Sequence, residues 1–240
     1  MHLSIIIPAY NEENRIGKTL KEIDKYLSTQ SYDYEILVVN GNSTDRTAEV
    51  VRGLMPSIRN LRLIDNKVNH GKGYVVRQGM LEAKGDYRIF TDADNSTSID
   101  QIEKMWPEFK RGYDIVIGSR DIKGAILDPP QPFLRKMILG KGFRLLTQII
   151  CGTWKILDSQ CGFKCFTKKA VEDIFPRCKI NNFSFDPEIL VIAQKLGYRI
   201  KEIPVLWKND PDSKVKFESI IKMGIDLLKI RLNLIKGVYA

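Results

Sequence analysis

The 240-residue chain holds only two histidines and four cysteines, and no stretch of 18 or more uncharged apolar residues. Without such a run no transmembrane helix is expected. Cys161 and Cys165 stand four apart, but Cys151, Cys178, His2 and His70 complete no zinc spacing around them, so reduced, partly buried thiols are expected. The chain passes from Met1-His2 straight into "LSIIIP", with no basic region or cleavage site before it. This start reads as a first strand and not a leader peptide, which makes a cytoplasmic location the expectation. No repeat, low-complexity tract or linker interrupts the sequence, so residues 1–240 read as a single domain.

What the sequence does have is an uneven charge. Residues 1–120 balance 17 Lys and Arg against 17 Asp and Glu, so the whole net charge of +9 falls in residues 121–240. An excess confined to one half points to one surface facing an anionic partner.

The first half alternates between apolar runs and helical patterns. Strands are expected at 3–8, 34–40, 61–65, 87–92 and 113–119, with helices near 14–28, 44–54, 72–84 and 99–111. Continuous apolar runs such as Ile5 to Ile7 suit strands covered on both faces, and the alternation predicts an α/β fold with a mainly parallel sheet flanked by helices. Ligands in such folds bind beyond the carboxyl ends of the strands, which places "PAYNEE", "NGNSTD", "DADNST" and "GSRD" on one rim. The second half is less regular. It offers a short strand within 158–166, helices near 168–175 and 186–197, a strand at 199–207 and a last helix at 217–236.

On that rim, "YRIFTDADNST" ends an apolar strand in Asp92 and Asp94, two carboxylates one residue apart. Residues two apart on a strand point the same way, so both can aim at one hard divalent cation, which takes its other ligands from water and phosphates. Alone the pair is weak, since Asp92 also suits a turn start or a helix cap.

Several stretches together are more specific. "IIIPAYNEENRI", "VVNGNSTDRT", "NHGKGYVVRQG", "DADNST" and "VIGSR" resemble, in order and spacing, the GT-A-fold inverting glycosyltransferases of family 2. "DSQCGFKCF", "FSFDPEILVIA" and "EIPVLW" followed by "DSKV" are similar to the dolichyl-phosphate glucosyltransferases, relatives of the dolichyl-phosphate mannose synthases. The resemblance implies that Pro8, Tyr10, Asn11 and Glu12 line the base and ribose, with Asn40 and Ala93 in the same nucleotide-sugar set. It implies that Gly71 and Lys72 meet the diphosphate at a helix start, that Asp92 faces ribose and metal, and that Asp94 binds Mg²⁺ or Mn²⁺. Arg120 and Arg135 then belong to the catalytic set and, with Lys214 and Asp186, to the candidates for the acceptor and its phosphate. One stretch departs from the family, which usually has "DDGS" where this chain has Asn40-Gly41-Asn42-Ser43. The usual carboxylate partner of a base imino proton is missing there, so the choice between uracil and guanine stays open.

The acceptor is read from the basic half. Lys222, Lys229 and Lys236 recur every seven residues on the last helix, with Ile221, Ile225, Leu228, Leu232 and Ile235 on another face. Residues 132–155 carry five basic side chains and no acid among aliphatics. Basic and aliphatic together suit a lipid phosphate at a membrane surface. A nucleic acid would call for more interleaved aromatics, so none is expected. A helix packed on the sheet is the plain alternative for 217–236. Taken with this basic half, the resemblance implies metal-dependent, inverting transfer of a hexose, glucose from UDP-glucose, to dolichyl or polyprenyl phosphate, by a protein peripheral on the cytosolic face of a membrane. GDP-mannose as donor, a saccharide acceptor and an inactive basic membrane-binding module remain open. A phosphate acceptor is already anionic and needs no base, whereas a hydroxyl acceptor would need Asp158, Asp186 or Glu188.

Overall fold

The structure is a computed structural model that describes residues 2–129, 142–208 and 217–240, with side chains from 221 onward in the last segment. Arg135 and Lys214 lie outside the described residues.

Strands β1 (Leu3–Ala9) and β2 (Tyr34–Asn40) are buried along their whole length. Ile5, Ile7, Ile36 and Val38 enter one core, while Ile6, Leu37 and Val39 enter the other on the opposite face of the sheet. The period of two thus separates two cores from one unbroken apolar run. Helix α1 (Ile16–Leu27) places Ile16, Leu20, Ile23 and Leu27 on the first core, the spacing of one helical face. Helices α2 (Thr47–Leu54) and α3 (Lys72–Glu82) follow β2 and β3 (Leu61–Asp65).

Among the described residues the main sheet has seven strands, completed by β4 (Tyr87–Phe90), β5 (Ile115–Ser119), β7 (Lys164–Thr167) and β8 (Ile200–Pro204), in the order β3-β2-β1-β4-β7-β5-β8. All neighbouring pairs are parallel except those of β7, which runs antiparallel between β4 and β5. The expected strand at 158–166 therefore lies in the middle of the sheet, and its preceding loop is carried to the rim beside Asp92. A second, two-stranded sheet joins β6 (Ile126–Asp128) to β9 (Leu206–Lys208).

Three boundaries differ from the sequence pattern. The helix expected at 99–111 is a 3₁₀ turn (Ile99–Lys104) followed by α4 (Trp106–Lys110), because Pro107 lacks the N–H that would carry one helix through and instead suits the start of a new one. The strand expected at 199–207 divides between β8 and β9 just after Pro204, which likewise has no ladder donor. The strand expected to reach residue 92 ends at Phe90, so Asp92 and Asp94 sit in a turn closed by the Asn95 N–H on the Asp92 carbonyl. The turn, not strand alternation, sets their directions.

The second half adds α5 (Phe143–Cys151), α6 (Lys168–Ile174), α7 (Phe185–Lys195) and α8 (Phe217–Ile235). The four cysteines are buried and unbonded, as their spacing suggests.

Candidate active site

The rim formed by the carboxyl ends of β1, β2 and β4 gathers the predicted residues. Lys72 follows Gly71 at the start of α3, and its Nζ lies 2.5 Å from Asp92 Oδ1. Gly71 has φ of 97°, and a methyl group there would lie 2.4 Å from the Asn181 carbonyl oxygen, so only glycine lets the helix begin so close to this backbone. Asp94 accepts the Ser96 N–H at 2.9 Å. Its carboxyl is held above the ordinary range, first by burial and then by the negative charge of Asp92. Burial alone would lower Lys72, but the charges of Asp92 and Asp186 outweigh it and the amine titrates above its usual value.

The charges continue inward. Lys164 is fully buried in β7, with its Nζ 2.5 Å from Asp186 Oδ1 and 5.4 Å from the centre of the Phe90 ring. Burial raises the Asp186 carboxyl despite the pull of Lys164 and Lys72. Asp94 and Asp92, Lys72, Asp186 and Lys164 thus form a row of alternating sign that runs from the rim into the core. Burying so many charges is tolerable only because each has an opposite neighbour.

This row suits a hard divalent cation shared with a phosphate. The rim donors of Asp92 and Asp94 are carboxylate oxygens, the hard ligands that such a cation takes. Among the described residues no group of three or more His, Cys, Asp or Glu side chains could hold a metal by itself. Asp92 and Asp94 would be the protein's share, and phosphate oxygens the rest.

The loops around the nucleotide set are stitched together. Asn11, with φ of 55°, accepts the Thr44 N–H at 2.8 Å and gives its own N–H to Ser43 Oγ at 2.9 Å. The Glu12 N–H donates to Thr47 Oγ1, and the Glu12 carboxylate pairs with Arg15. Tyr10 is 45% exposed beside them and Pro8 and Ala9 end β1, where Ala93 is buried close to Thr19. Asn40 is turned inward: its Oδ1 accepts from Ser43 Oγ at 2.5 Å and its Nδ2 donates to Asp65 Oδ1 at 2.7 Å.

Arg120 is committed to a buried partner. Its Nε and Nη2 form a fork on Asp158 at 2.7 and 2.9 Å, and its guanidinium lies over the Trp207 ring at 5.4 Å. Asp158 is buried, yet Arg120 holds its carboxyl down to about 2. Glu188 accepts the N–H groups of Lys179 and Ile180, each at 2.9 Å, and the Tyr239 hydroxyl at 2.6 Å. So Asp158, Asp186 and Glu188 are each buried and engaged by hydrogen-bonded partners.

Residues that the sequence did not single out complete the site. Gly162 touches Asp92, Lys164 neutralises Asp186, and Asn181 seats α3. Lys164 did leave a signal: a lone lysine between Phe163 and Cys165-Phe166, where only a paired charge is tolerable.

Beyond the rim lies an apolar surface. Helix α8 buries Met223, Leu227 and Ile230, while the opposite stripe of Ile221, Ile225, Leu228, Leu232 and Ile235 is at least half exposed. Lys222, Lys229 and Lys236 follow one flank of that stripe and Arg231 the other. Leu145, Leu146 and Ile149 of α5 and the nearby Trp154 are also exposed, and α5 packs against α8. Packing on the fold and presenting an apolar stripe are therefore both true of α8, on opposite faces. No helix of the described residues is long and apolar enough to cross a membrane.

Comparison with known proteins agrees with this geometry. Residues 4–175 match glycosyl transferase family 2. The chain is 38% identical to a dolichyl-phosphate beta-glucosyltransferase of Trichomonas vaginalis, over 100% of its own length and 73% of that protein. It is 36% identical to the dolichyl-phosphate beta-glucosyltransferase of Dictyostelium discoideum, over 100% of its length and 76% of the relative. Among solved structures, glucosyl-3-phosphoglycerate synthase from Mycobacterium tuberculosis, in complex with Mn²⁺, uridine diphosphate and glucosyl-3-phosphoglycerate, superposes with a TM-score of 0.67. That match has 15% identity and covers 97% of this chain and 79% of the other. The fold is GT-A, and the chain is a glycosyltransferase that belongs to glycosyl transferase family 2.

Proposed function

We propose that this enzyme transfers glucose from UDP-glucose to dolichyl or a related polyprenyl phosphate at a membrane surface, with inversion at the anomeric carbon. The observation that carries the choice of acceptor is the engagement of the three acids that could have served as base. Asp158 is locked to Arg120, Asp186 to Lys164, and Glu188 to two backbone N–H groups and Tyr239. A sugar hydroxyl must lose its proton as it attacks, whereas a phosphate oxygen arrives already anionic. The dolichyl-phosphate beta-glucosyltransferases of Trichomonas vaginalis and Dictyostelium discoideum, to which the chain is similar, support the same acceptor and sugar.

Lys72 at the start of α3 would bind the donor's diphosphate through its side-chain ammonium, which already stands beside Asp92. Asp92 and Asp94 would hold Mg²⁺ or Mn²⁺, which when bound supplies positive charge to the departing diphosphate. The solved Mn²⁺ and uridine diphosphate complex of the same fold supports both the metal and the nucleotide. The exposed stripe of α8, with Lys222, Lys229, Lys236 and Arg231 at its flanks, would lie against the headgroups of an anionic, cytosolic leaflet and bring the lipid phosphate to the rim. The test is radiolabelled transfer to dolichyl phosphate from UDP-glucose and from GDP-mannose, with and without Mn²⁺. A β-linked lipid product from UDP-glucose alone, lost on chelation, is expected. Transfer only from GDP-mannose, or only to a free saccharide, would overturn the reading.

A further inference from the structure

The chain folds back after α8. Gly237 reverses it, the Val238 N–H closes the turn on the Asn233 carbonyl, and Tyr239 enters the core with no exposed surface. Its hydroxyl takes a hydrogen bond from Asn233 Nδ2 at 3.1 Å and gives one to Glu188 Oε1 at 2.6 Å. Glu188 is also wholly buried, and its two oxygens receive the N–H groups of Lys179 and Ile180. The next residue, Asn181, is the seat of α3. Its carbonyl accepts the N–H of Gly73 at 2.7 Å and of Tyr74 at 3.3 Å, and its side chain accepts Arg77 Nη2 at 3.0 Å. Between Gly71 and Gly73 stands Lys72.

Hydrogen bonds, linked through the backbone from Ile180 to Asn181, therefore connect the end of α8 to Gly73 and Tyr74, the residues that follow Lys72 on α3. We infer that Tyr239 is a positioning residue for donor binding: through Glu188 it fixes segment 179–181, and that segment fixes where Lys72 stands. The physical reason is the cost of leaving the buried Glu188 carboxylate short of a donor. Its oxygens would be drawn toward other partners, and the two N–H groups they hold would move with them. This inference rests on the proposed reading that Lys72 meets the donor diphosphate, but the first measurement below needs no ligand.

Tyr239→Phe removes one hydroxyl and keeps the buried ring. Without nucleotide, amide exchange at Gly73, Tyr74, Lys179 and Ile180 is expected to speed up by roughly tenfold, the worth of about one hydrogen bond to a charged group. Exchange in the β1–β2 core should stay as in the wild type, since the variant keeps the fold. With Mn²⁺ present, KM for UDP-glucose should rise about fivefold while kcat stays within about twofold, because binding and not chemistry is disturbed. In the background of Lys72→Met, the same variant should have little further effect on KM. Unchanged exchange at 73–74, a fall in kcat with KM unchanged, or an equal KM effect in the Lys72→Met background would each overturn the assignment. If the wild type uses no UDP-glucose at all, the proposed function fails while the exchange measurement still decides the positioning role.

Discussion

Gly162 presses its bare backbone against the carboxylate of Asp92. A methyl group there would lie 2.0 Å from Oδ2 and 2.5 Å from the carboxyl carbon. No real Cβ survives such a contact, so any larger residue must push Asp92 aside. Asp92 cannot retreat freely, because Lys72 holds its other oxygen. Gly162→Ala is expected to keep the fold and lower kcat/KM by roughly 10- to 100-fold, as when the support of a metal-ligating group is disturbed. The Mn²⁺ concentration for half-maximal activity should rise alongside. Wild-type kcat/KM in a folded variant would show that Asp92 tolerates the shift.

Asn40 stands where its relatives by resemblance carry an acid, and restoring that acid should harm this chain. The Asn40 amide donates to Asp65, and this hydrogen bond is the first reason the Asp65 carboxyl lies below its usual range. Asn40→Asp would replace a donor with a second carboxylate against the first. A loss of about 1–3 kcal/mol of stability at pH 7 is expected, the cost of an unmatched buried polar group. Because the strain exists only while both carboxyls are ionised, the deficit should shrink as the pH falls through the carboxylate range. Urea unfolding of both proteins at pH 7 and pH 4 measures it.

The sequence made the rim legible because parallel α/β sheets put loops after strands in one place, and because Asp92, Lys72 and Asn11 lie in those loops. The cores were legible for a related reason: unbroken apolar runs such as Ile5–Ile7 can only be strands with two covered faces. What the residues alone did not reveal was pairing. Arg120, expected to meet the acceptor or its phosphate, is locked to Asp158, 38 residues later. Asp186 reads as a helix-start acid until Lys164 is found buried against it. The position of β7 was equally hidden, since an antiparallel strand inserted between β4 and β5 leaves no local mark in the sequence.

The Arg120–Asp158 pair gives the fold an acid limit. Arg120 holds the Asp158 carboxyl down to about 2 in the folded chain, below the ordinary value of 3.8. A depressed carboxyl contributes stability that is complete above the unfolded value and lost as the pH falls through the folded one. The window is therefore pH 4 down to 2, and the contribution is about 2 kcal/mol. Asp158→Asn lacks this titration, so the stability gap between the variant and the wild type should narrow across that window and stay constant from pH 5 to 7. Denaturant unfolding at pH 6, 4, 3 and 2 measures the gap, and a gap that does not change below pH 4 would remove the pair from the account of acid stability.

The apolar stripe of α8 predicts a separation of binding from chemistry. Leu228 and Leu232 are more than half exposed on that stripe, while the buried face of the helix is carried by Met223, Leu227 and Ile230. Replacing Leu228 and Leu232 with aspartate therefore leaves the packed face alone. Each change removes a side chain worth roughly 1.5 kcal/mol on entering an apolar phase, and it adds a negative charge facing anionic headgroups. Binding to vesicles of anionic phospholipid should fall by roughly 100-fold or more, as two such terms combine. Transfer to a short, water-soluble polyprenyl phosphate should stay within about twofold of the wild type, since no residue of the charged row is touched. Raised salt should weaken vesicle binding of the wild type, because Lys222, Lys229 and Lys236 act at long range, while the apolar stripe does not. Wild-type vesicle binding by the double variant would mean that α8 faces water and that the lipid phosphate reaches the rim by another path.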